Sequence, residues 1–250
     1  MRIYSSTATH EIFLNIKIML SAKNITKYRD GDTVLESVDI DVEPGTITAL
    51  IGPSGAGKTT LLNILSFSLF PDSGAIVVND KSFSFPHSGD SIPQPSSSVA
   101  MVFQQLFLWP HLTLRENIMI SGKISDAELS ELINAFGMKN FIDRYPNQTS
   151  LGQRQRAALA RAIALKPRYL LLDEITSALD IEQIEAVAKY LEKLKTGGTG
   201  IVAVTHLINF ASRISDQVIF MDKGKIIERG TKELVSKPKN ERTKEFLEFF

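Results

Sequence analysis

The chain has 250 residues, of which 43% are hydrophobic and 22% are charged, values that exclude a disordered or collagen-like protein and allow a sizeable core. Lys plus Arg and Asp plus Glu number 28 each, so no strongly basic field attracts nucleic acid, and we expect no nucleic-acid partner. The lack of cysteine excludes disulfides, thiolate metal sites and cysteine nucleophiles.

The first eighteen residues fit the pattern of the rest poorly. Alternating, strand-like sequence begins only after a second methionine, Met19. We expect residues 1–18 to be an extension that is dispensable for folding. Two alternatives would explain this extension: a start codon set too far upstream, or a genuine amphipathic arm. No stretch reaches the eighteen or more uncharged apolar residues of a membrane span, so we predict none.

The first half of the chain begins with strand signals. Alternating segments and turn signals over residues 20–51 predict an antiparallel sheet. A short apolar strand over 46–51 then leads through glycines into a helix over 58–67. The Ser, Pro and Gly of residues 82–98 predict a surface loop, and residues 99–103 a buried strand.

The second half alternates between helix and strand. A capping box at residues 125–128 opens an amphipathic helix, whose apolar positions are Leu129, Leu132, Ile133 and Phe136. Strands and helices then alternate, which predicts a parallel sheet. The predicted helices are 156–165, 182–194 and 207–214, and the predicted strands are 169–172 and 200–204. A hairpin over 218–228 and a short helical tail end the chain.

A phosphate-binding loop lies between the apolar strand and the helix that follows it. Residues 52–60 match the pattern G-x-x-x-x-G-K-[ST] in this context. Backbone N–H groups and a helix N-terminus would form an anion cradle, Lys58 would reach the β- and γ-phosphates, and the Thr59 hydroxyl would ligate magnesium. The predicted binding residues are Gly52, Pro53, Ser54, Gly55, Ala56, Gly57, Lys58, Thr59 and Thr60.

Polar side chains follow three of the predicted strands. Asp173 and Glu174 end an apolar strand, and Gln104 and His206 follow two others. Because ligands bind beyond the carboxyl ends of parallel strands, all four should face the phosphates. Asp173 would hold magnesium through water, and Glu174 would act as general base. Taken alone, each of these side chains could equally be a solvated bystander at a turn. The presence of the glycine loop favours a functional role, in which Gln104 contacts magnesium or water and His206 contacts the γ-phosphate.

A second helix start leaves two interpretations open. Ser150 is the predicted N-cap of the Ala-rich helix and Gln153 its N3 residue, in a variant capping box. This pattern is either only a helix start or a second anion-binding terminus aimed at a phosphate held elsewhere.

From about residue 20 to residue 250 these motifs resemble, in identity and order, those of an ATP-binding cassette (ABC) transporter ATPase. The resemblance implies an α/β P-loop NTPase fold over 19–250, with a RecA-like parallel-sheet core, an antiparallel β subdomain and a small α-helical subdomain at about 105–153. It also implies ATP and Mg²⁺ as cofactors. The matching motifs are Walker A (52–60), the Q-loop Gln104, the signature (149–153), Walker B (170–174), the D-loop (177–180, with Asp180) and the switch His206.

The resemblance implies a role for each matching residue. Tyr28 would stack on adenine, and Ser150, Leu151, Gly152 and Gln153 would contact the ATP of a partner subunit. The catalytic residues would be Glu174, His206 and Gln104, and the metal ligands Thr59, Gln104 and Asp173.

Two motifs depart from the family pattern: the signature, usually Leu-Ser-Gly-Gly-Gln, and the proline after Walker B. The signature has Thr149 and Leu151 in place of leucine and glycine, and Ile175 replaces the proline. If Ser150 is the N-cap, Leu151 is at N1 and needs no glycine, so we expect an active site, with normal or reduced turnover, rather than a dead one. Whether Thr149 disturbs the packing is left open. Gly152→Asp should place a carboxylate against phosphate and spare nucleotide binding by the monomer.

Segments 102–118 and 237–247 resemble polar amino-acid importers. That resemblance implies a head-to-tail homodimer, or a pair with a second ATPase subunit, under integral membrane permease subunits at the cytoplasmic face of the inner or plasma membrane. A solute-binding protein would complete the complex. Three alternatives remain: the ATPase of a lipid or lipoprotein exporter, that of a cell-division-type complex, and a weakly active regulator that binds nucleotide without transport.

Overall fold

The computed structural model describes residues 20–79, 81–87, 98–120 and 122–249. The predicted extension at 1–18 and most of the predicted loop at 82–98 lie outside these ranges. The strands are β1 Leu20–Arg29, β2 Asp32–Val42, β3 Ile47–Ile51, β4 Ser73–Val78, β5 Lys81–Phe85, β6 Val99–Val102, β7 Tyr169–Asp173, β8 Gly200–Val204, β9 Gln217–Asp222 and β10 Lys225–Thr231. The α-helices are α1 Lys58–Leu65, α2 Leu114–Met119, α3 Asp126–Ala135, α4 Leu151–Ala164, α5 Ile181–Thr196, α6 Ile208–Ile214 and α7 Glu241–Leu247, with 3₁₀ turns at Pro146–Gln148 and Lys232–Val235.

The strands form two sheets. One is antiparallel with the order β2-β1-β4-β5, and the other has the order β10-β9-β3-β8-β7-β6. In the second sheet every pair from β9 to β6 is parallel, and only β10 runs antiparallel to β9. All residues of β3, β7 and β8 are buried, as is usual when both faces of a parallel sheet are covered. The predicted parallel core and antiparallel sheet are confirmed.

The apolar core is continuous with the helical segment. Ile118 of α2 and Leu132 of α3 belong to the same buried cluster as Leu170 of β7. A second cluster joins the antiparallel sheet to the other side of the core. The helical segment therefore shares its core with one face of the parallel sheet. Within the described ranges, no helix has the length and apolarity needed to cross a membrane.

Three sequence predictions need correction. Lys81–Phe85 is a strand, not part of a loop, because Phe85 stacks on Phe70 with ring centroids 5.7 Å apart and this packing outweighs the serines. The sequence reading also missed β4, although residues 75–78 are an apolar, β-branched run. The predicted helix range 156–165 is too short, because α4 begins at residue 151, directly after the predicted N-cap Ser150.

Candidate functional site

The carboxyl ends of β3, β7 and β8 meet at one edge of the parallel sheet, where an open cavity of about 390 Å³ lies. Its lining residues are Arg29, Val34, Ser54, Gly55, Ala56, Gly57, Lys58, Thr59, Thr60, Gln104, Glu174 and His206. The structure thus brings together the glycine loop and three of the four predicted strand-end side chains. Asp173 reaches the same site through Thr59.

The glycine loop ends where α1 begins. Gly57 is the N-cap with φ 94°, and a Cβ there would lie 2.8 Å from the carbonyl oxygen of Val34 in β2. Only glycine fits this left-handed, crowded position. No side chain caps the helix and its first turn holds no acidic residue. The N-terminus of α1 is thereby left to an anionic ligand.

Lys58 is a buried cation at the floor of the cavity. Its side chain is only 5% exposed, and Nζ donates hydrogen bonds to the carbonyl oxygens of Gly52 (2.8 Å) and Pro53 (2.7 Å). Burial lowers the pKa of Lys58, although the charges of Glu174 and Asp173 oppose this shift. A phosphate group would stabilise the ammonium form that burial disfavours.

Asp173 and Thr59 offer oxygen ligands side by side. The Thr59 hydroxyl donates to Oδ1 of Asp173 at 3.2 Å, and Asp173 is 2% exposed. Burial raises the pKa of Asp173, so a nearby divalent cation would stabilise its carboxylate. Hydroxyl and carboxylate oxygens suit Mg²⁺. Since the part of the chain described holds no group of three or more His, Cys, Asp or Glu residues placed to hold a metal ion, phosphate and water oxygens would have to complete the coordination.

Side chains that follow two other strands converge on Glu174. Its Oε1 lies 2.7 Å from Nε2 of His206, and its Oε2 lies 3.5 Å from Nε2 of Gln104, a distant contact. Glu174 has φ 52°, a left-handed conformation that is uncommon for non-glycine residues and that is often found at active sites. Ile175, at the position of the family's proline, is 4% exposed and packs into the core. The sequence carried no signal for this backbone conformation.

The signature segment has the predicted helix-start geometry. The Ser150 hydroxyl accepts from the Gln153 amide at 3.3 Å, and Gln153 Oε1 accepts from the Ser150 amide at 3.0 Å. Leu151 is at the predicted N1 position and is 49% exposed, so its side chain is not packed into the core of its own chain. None of residues 150–153 lines the cavity of its own chain.

Gly152 requires a different account. A Cβ on it would lie 2.5 Å from the carbonyl oxygen of Ala178. Gly152→Asp would therefore collide with this backbone in addition to placing a carboxylate against phosphate. Thr149 resolves the question left open above: it is 9% exposed, and its hydroxyl donates to the Pro146 carbonyl at 2.8 Å, so the buried polar group is satisfied.

Two further residues of the predicted site lie outside the cavity. Tyr28 is 54% exposed at the end of β1, and its backbone amide donates to Asp72 Oδ2 at 2.6 Å. Asp180 caps α5 by accepting from the Gln183 amide at 2.8 Å. Sequence reasoning missed Arg29 and Val34, because only the pairing of β1 with β2 brings them to the glycine loop.

Comparisons with known proteins agree with this geometry. The family described as "ABC transporter" matches residues 35–177. The L-cystine transport system ATP-binding protein TcyN of Escherichia coli is 39% identical over 92% of this chain and 98% of its own. The glutamine transport ATP-binding protein GlnQ of the same species is 37% identical over 92% and 99%.

Among solved structures, a dimeric ATP-binding cassette in a post-hydrolysis state with ADP and Pi is similar, with a TM-score of 0.76 and 30% identity over 85% of this chain and 98% of that one. The fold, the motif order and these relatives agree. The chain belongs to the ABC transporter family and is an ATP-hydrolysing subunit.

Proposed function

We propose that this subunit powers the import of a polar amino acid, using Mg²⁺ and ATP, as one half of an ATPase dimer beneath membrane permease subunits. The observation that carries the proposal is the match over nearly the whole chain to the cystine and glutamine transport subunits. A solute-binding protein outside the membrane would deliver the amino acid. The subunit would lie peripherally at the cytoplasmic face of the inner or plasma membrane.

ATP would bind at the open cavity. Residues 52–60 would surround its phosphates, with Lys58 on the β- and γ-phosphates, and Tyr28 would stack on adenine. The half-exposed ring of Tyr28 is free for such a contact, and its neighbour Arg29 lines the cavity. Thr59, Asp173 and Gln104 would hold magnesium, directly or through water, and the metal would neutralise charge on the phosphates.

Hydrolysis would depend on Glu174. Its carboxylate would accept a proton from the attacking water as general base. His206 lies within hydrogen-bond distance of that carboxylate, so one ring could orient the base and reach the γ-phosphate. Gln104 lies on the other carboxylate oxygen, where it could position water or metal. The presence of Glu174, His206 and Gln104 together argues against the alternative of an inactive regulator.

The dimer proposal rests on motif residues that lie outside the nucleotide cavity of their own chain. Residues 150–153 form a capped helix start outside their own chain's cavity, and Asp180 also lies outside it. In a head-to-tail dimer, each signature would face the γ-phosphate held by the other chain, where the α4 dipole favours negative charge. ATP would close the dimer and hydrolysis would reopen it.

An apolar surface fits the proposed permease contact. A cleft of about 330 Å³ is lined by residues that include Phe107 and Leu151, which are 61% and 49% exposed. Nearby in sequence, Trp109 is 49% exposed. Large exposed apolar side chains beside a cleft are suited to contact with another protein. Gln104 lines both this cleft and the nucleotide cavity, so a docked permease would contact a residue of the ATP site.

Uptake measurements test the substrate. Cells that lack this subunit should lose uptake of labelled L-cystine, L-arginine or L-glutamine, while uptake of L-leucine, an apolar control, stays normal. The wild-type chain should restore uptake and Glu174→Gln should not. Unchanged uptake of all polar amino acids, together with defective lipid or lipoprotein export, would instead support the exporter alternative.

A further inference from the structure

A buried amide joins the signature helix to the loop that follows Walker B. Gln155, on α4, is 5% exposed. Its Nε2 donates to Ser177 Oγ at 2.9 Å, and its Oε1 accepts from the Ala178 amide at 3.2 Å. Both ends of the side chain are thus used by two consecutive residues of one loop. A buried amide that is hydrogen-bonded through both its nitrogen and its oxygen fixes the relative position of the elements it joins.

A second contact joins the same two elements. Gly152 lies three residues before Gln155, on the same side of the helix. A Cβ at Gly152 would come within 2.5 Å of the Ala178 carbonyl oxygen. The backbone of α4 therefore packs directly on the loop that Gln155 holds, and residues 177–178 are fixed both by hydrogen bonds and by close contact.

The loop held in this way connects the catalytic carboxylate to the dimer-facing segment. It begins at Glu174, whose carbonyl accepts from the Ser177 amide at 3.3 Å, and it ends at Asp180, the N-cap of α5. A shift of Ser177 and Ala178 would move Glu174 at one end and the D-loop at the other, relative to residues 150–153.

We infer that Gln155 is a positioning residue, which holds the D-loop and the signature in the relative placement that a second copy's ATP must meet. The inference rests on the proposed shared-site dimer. Gln155 does not line the nucleotide cavity of its own chain. Its loss should therefore affect dimer closure and turnover, and it should leave ATP binding by the monomer unchanged.

The test compares Gln155→Met with Gln155→Glu in the Glu174→Gln background. Methionine keeps the length of the side chain and removes both hydrogen bonds, whereas the carboxylate of glutamate can still accept hydrogen bonds from the Ser177 hydroxyl and the Ala178 amide. ATP-driven dimerisation, measured by sedimentation, should weaken about tenfold or more with methionine and recover largely with glutamate. Monomer affinity for a fluorescent ATP analogue should change less than about twofold. With Glu174 intact, kcat should fall in Gln155→Met more than KM changes.

Two further variants separate positioning from general destabilisation. Ile163→Val trims α4 in the core, away from the loop, and should leave dimerisation unchanged. Ser177→Ala removes one hydrogen bond at an exposed residue, so it remains informative if Gln155→Met does not fold. It should weaken dimerisation partly, and adding it to Gln155→Met should have no further effect.

Two failures have different meanings. If the Glu174→Gln parent does not dimerise with ATP, the shared-site proposal fails and the role of Gln155 fails with it. If the parent dimerises and both Gln155→Met and Ser177→Ala dimerise equally well, only the positioning role is overturned.

Discussion

Nε2 of His206 lies 2.7 Å from Oε1 of Glu174, although 32 residues separate them in the chain. Their strands, β7 and β8, are adjacent and parallel, so both side chains emerge at the same edge of the sheet. This contact gives the proposed general base an oriented carboxylate before any substrate arrives, which is the arrangement expected of a catalytic acid–base pair.

Glu174→Gln should retain ATP affinity and lose turnover. The amide keeps the size of the side chain but cannot accept a proton from water, and losing a general base typically slows a reaction by about 10²- to 10⁴-fold. Phosphate release and a nucleotide titration measure the two properties. Turnover within a factor of three of wild type would remove Glu174 from the role of base.

Lys58→Ala should show the opposite pattern, with loss of ATP binding itself. The buried ammonium is the cation that lines the phosphate loop, and charged hydrogen bonds of this kind correspond to about ten- to a hundredfold in affinity. Titration with ATP and with AMP distinguishes the mechanism, because AMP lacks the phosphates that Lys58 would contact and should bind both proteins alike. If Lys58→Ala and Glu174→Gln bound ATP equally weakly, both assigned roles would be wrong.

The residues predictable from sequence are those defined by local pattern. The glycine loop around Lys58 and the capping box of Ser150 depend on neighbours within seven positions, so short motifs identify them. Gln155 could not be found this way, since its partners lie 22 and 23 residues further along. The left-handed Glu174 and the strand at Lys81–Phe85 likewise depend on tertiary packing, which overrides local propensity.

Asp173→Asn should stabilise the nucleotide-free protein at neutral pH. Burial raises the pKa of Asp173, so the carboxylate is less favourable in the folded protein than in the unfolded chain. The resulting loss of folding stability is absent below the pKa of Asp in the unfolded chain, about 3.9. It grows as the pH rises through the higher pKa of the folded protein and is complete above that value. Removing the charge should therefore raise the free energy of unfolding by about 1.4 kcal/mol for each unit of pKa shift.

Denaturant unfolding of both proteins at about pH 3 and at pH 7, without magnesium, checks this sign. The stability difference should appear at pH 7 and vanish at pH 3. The same variant should lose the Mg²⁺ dependence of ATP affinity, because the buried carboxylate proposed as a metal ligand is gone. A variant less stable than wild type at pH 7 would mean that the attraction of Lys58 and His206 outweighs burial.

Leu151, which departs from the family signature, and Gly152, which matches it, should differ in their sensitivity to substitution. Leu151→Gly removes a half-exposed side chain at N1 and should change ATP-driven dimerisation less than about threefold. Gly152→Ala adds a Cβ 2.5 Å from the Ala178 carbonyl, so the D-loop must move and dimerisation should weaken at least about tenfold. Both variants should bind ATP normally as monomers, since residues 151 and 152 lie outside the nucleotide cavity of their own chain.

Sedimentation in the Glu174→Gln background with ATP measures the difference in dimerisation between the two variants, and ADP, which lacks the γ-phosphate, is the control. Equal dimerisation of Gly152→Ala and its parent would show that this contact does not set the geometry of the shared site.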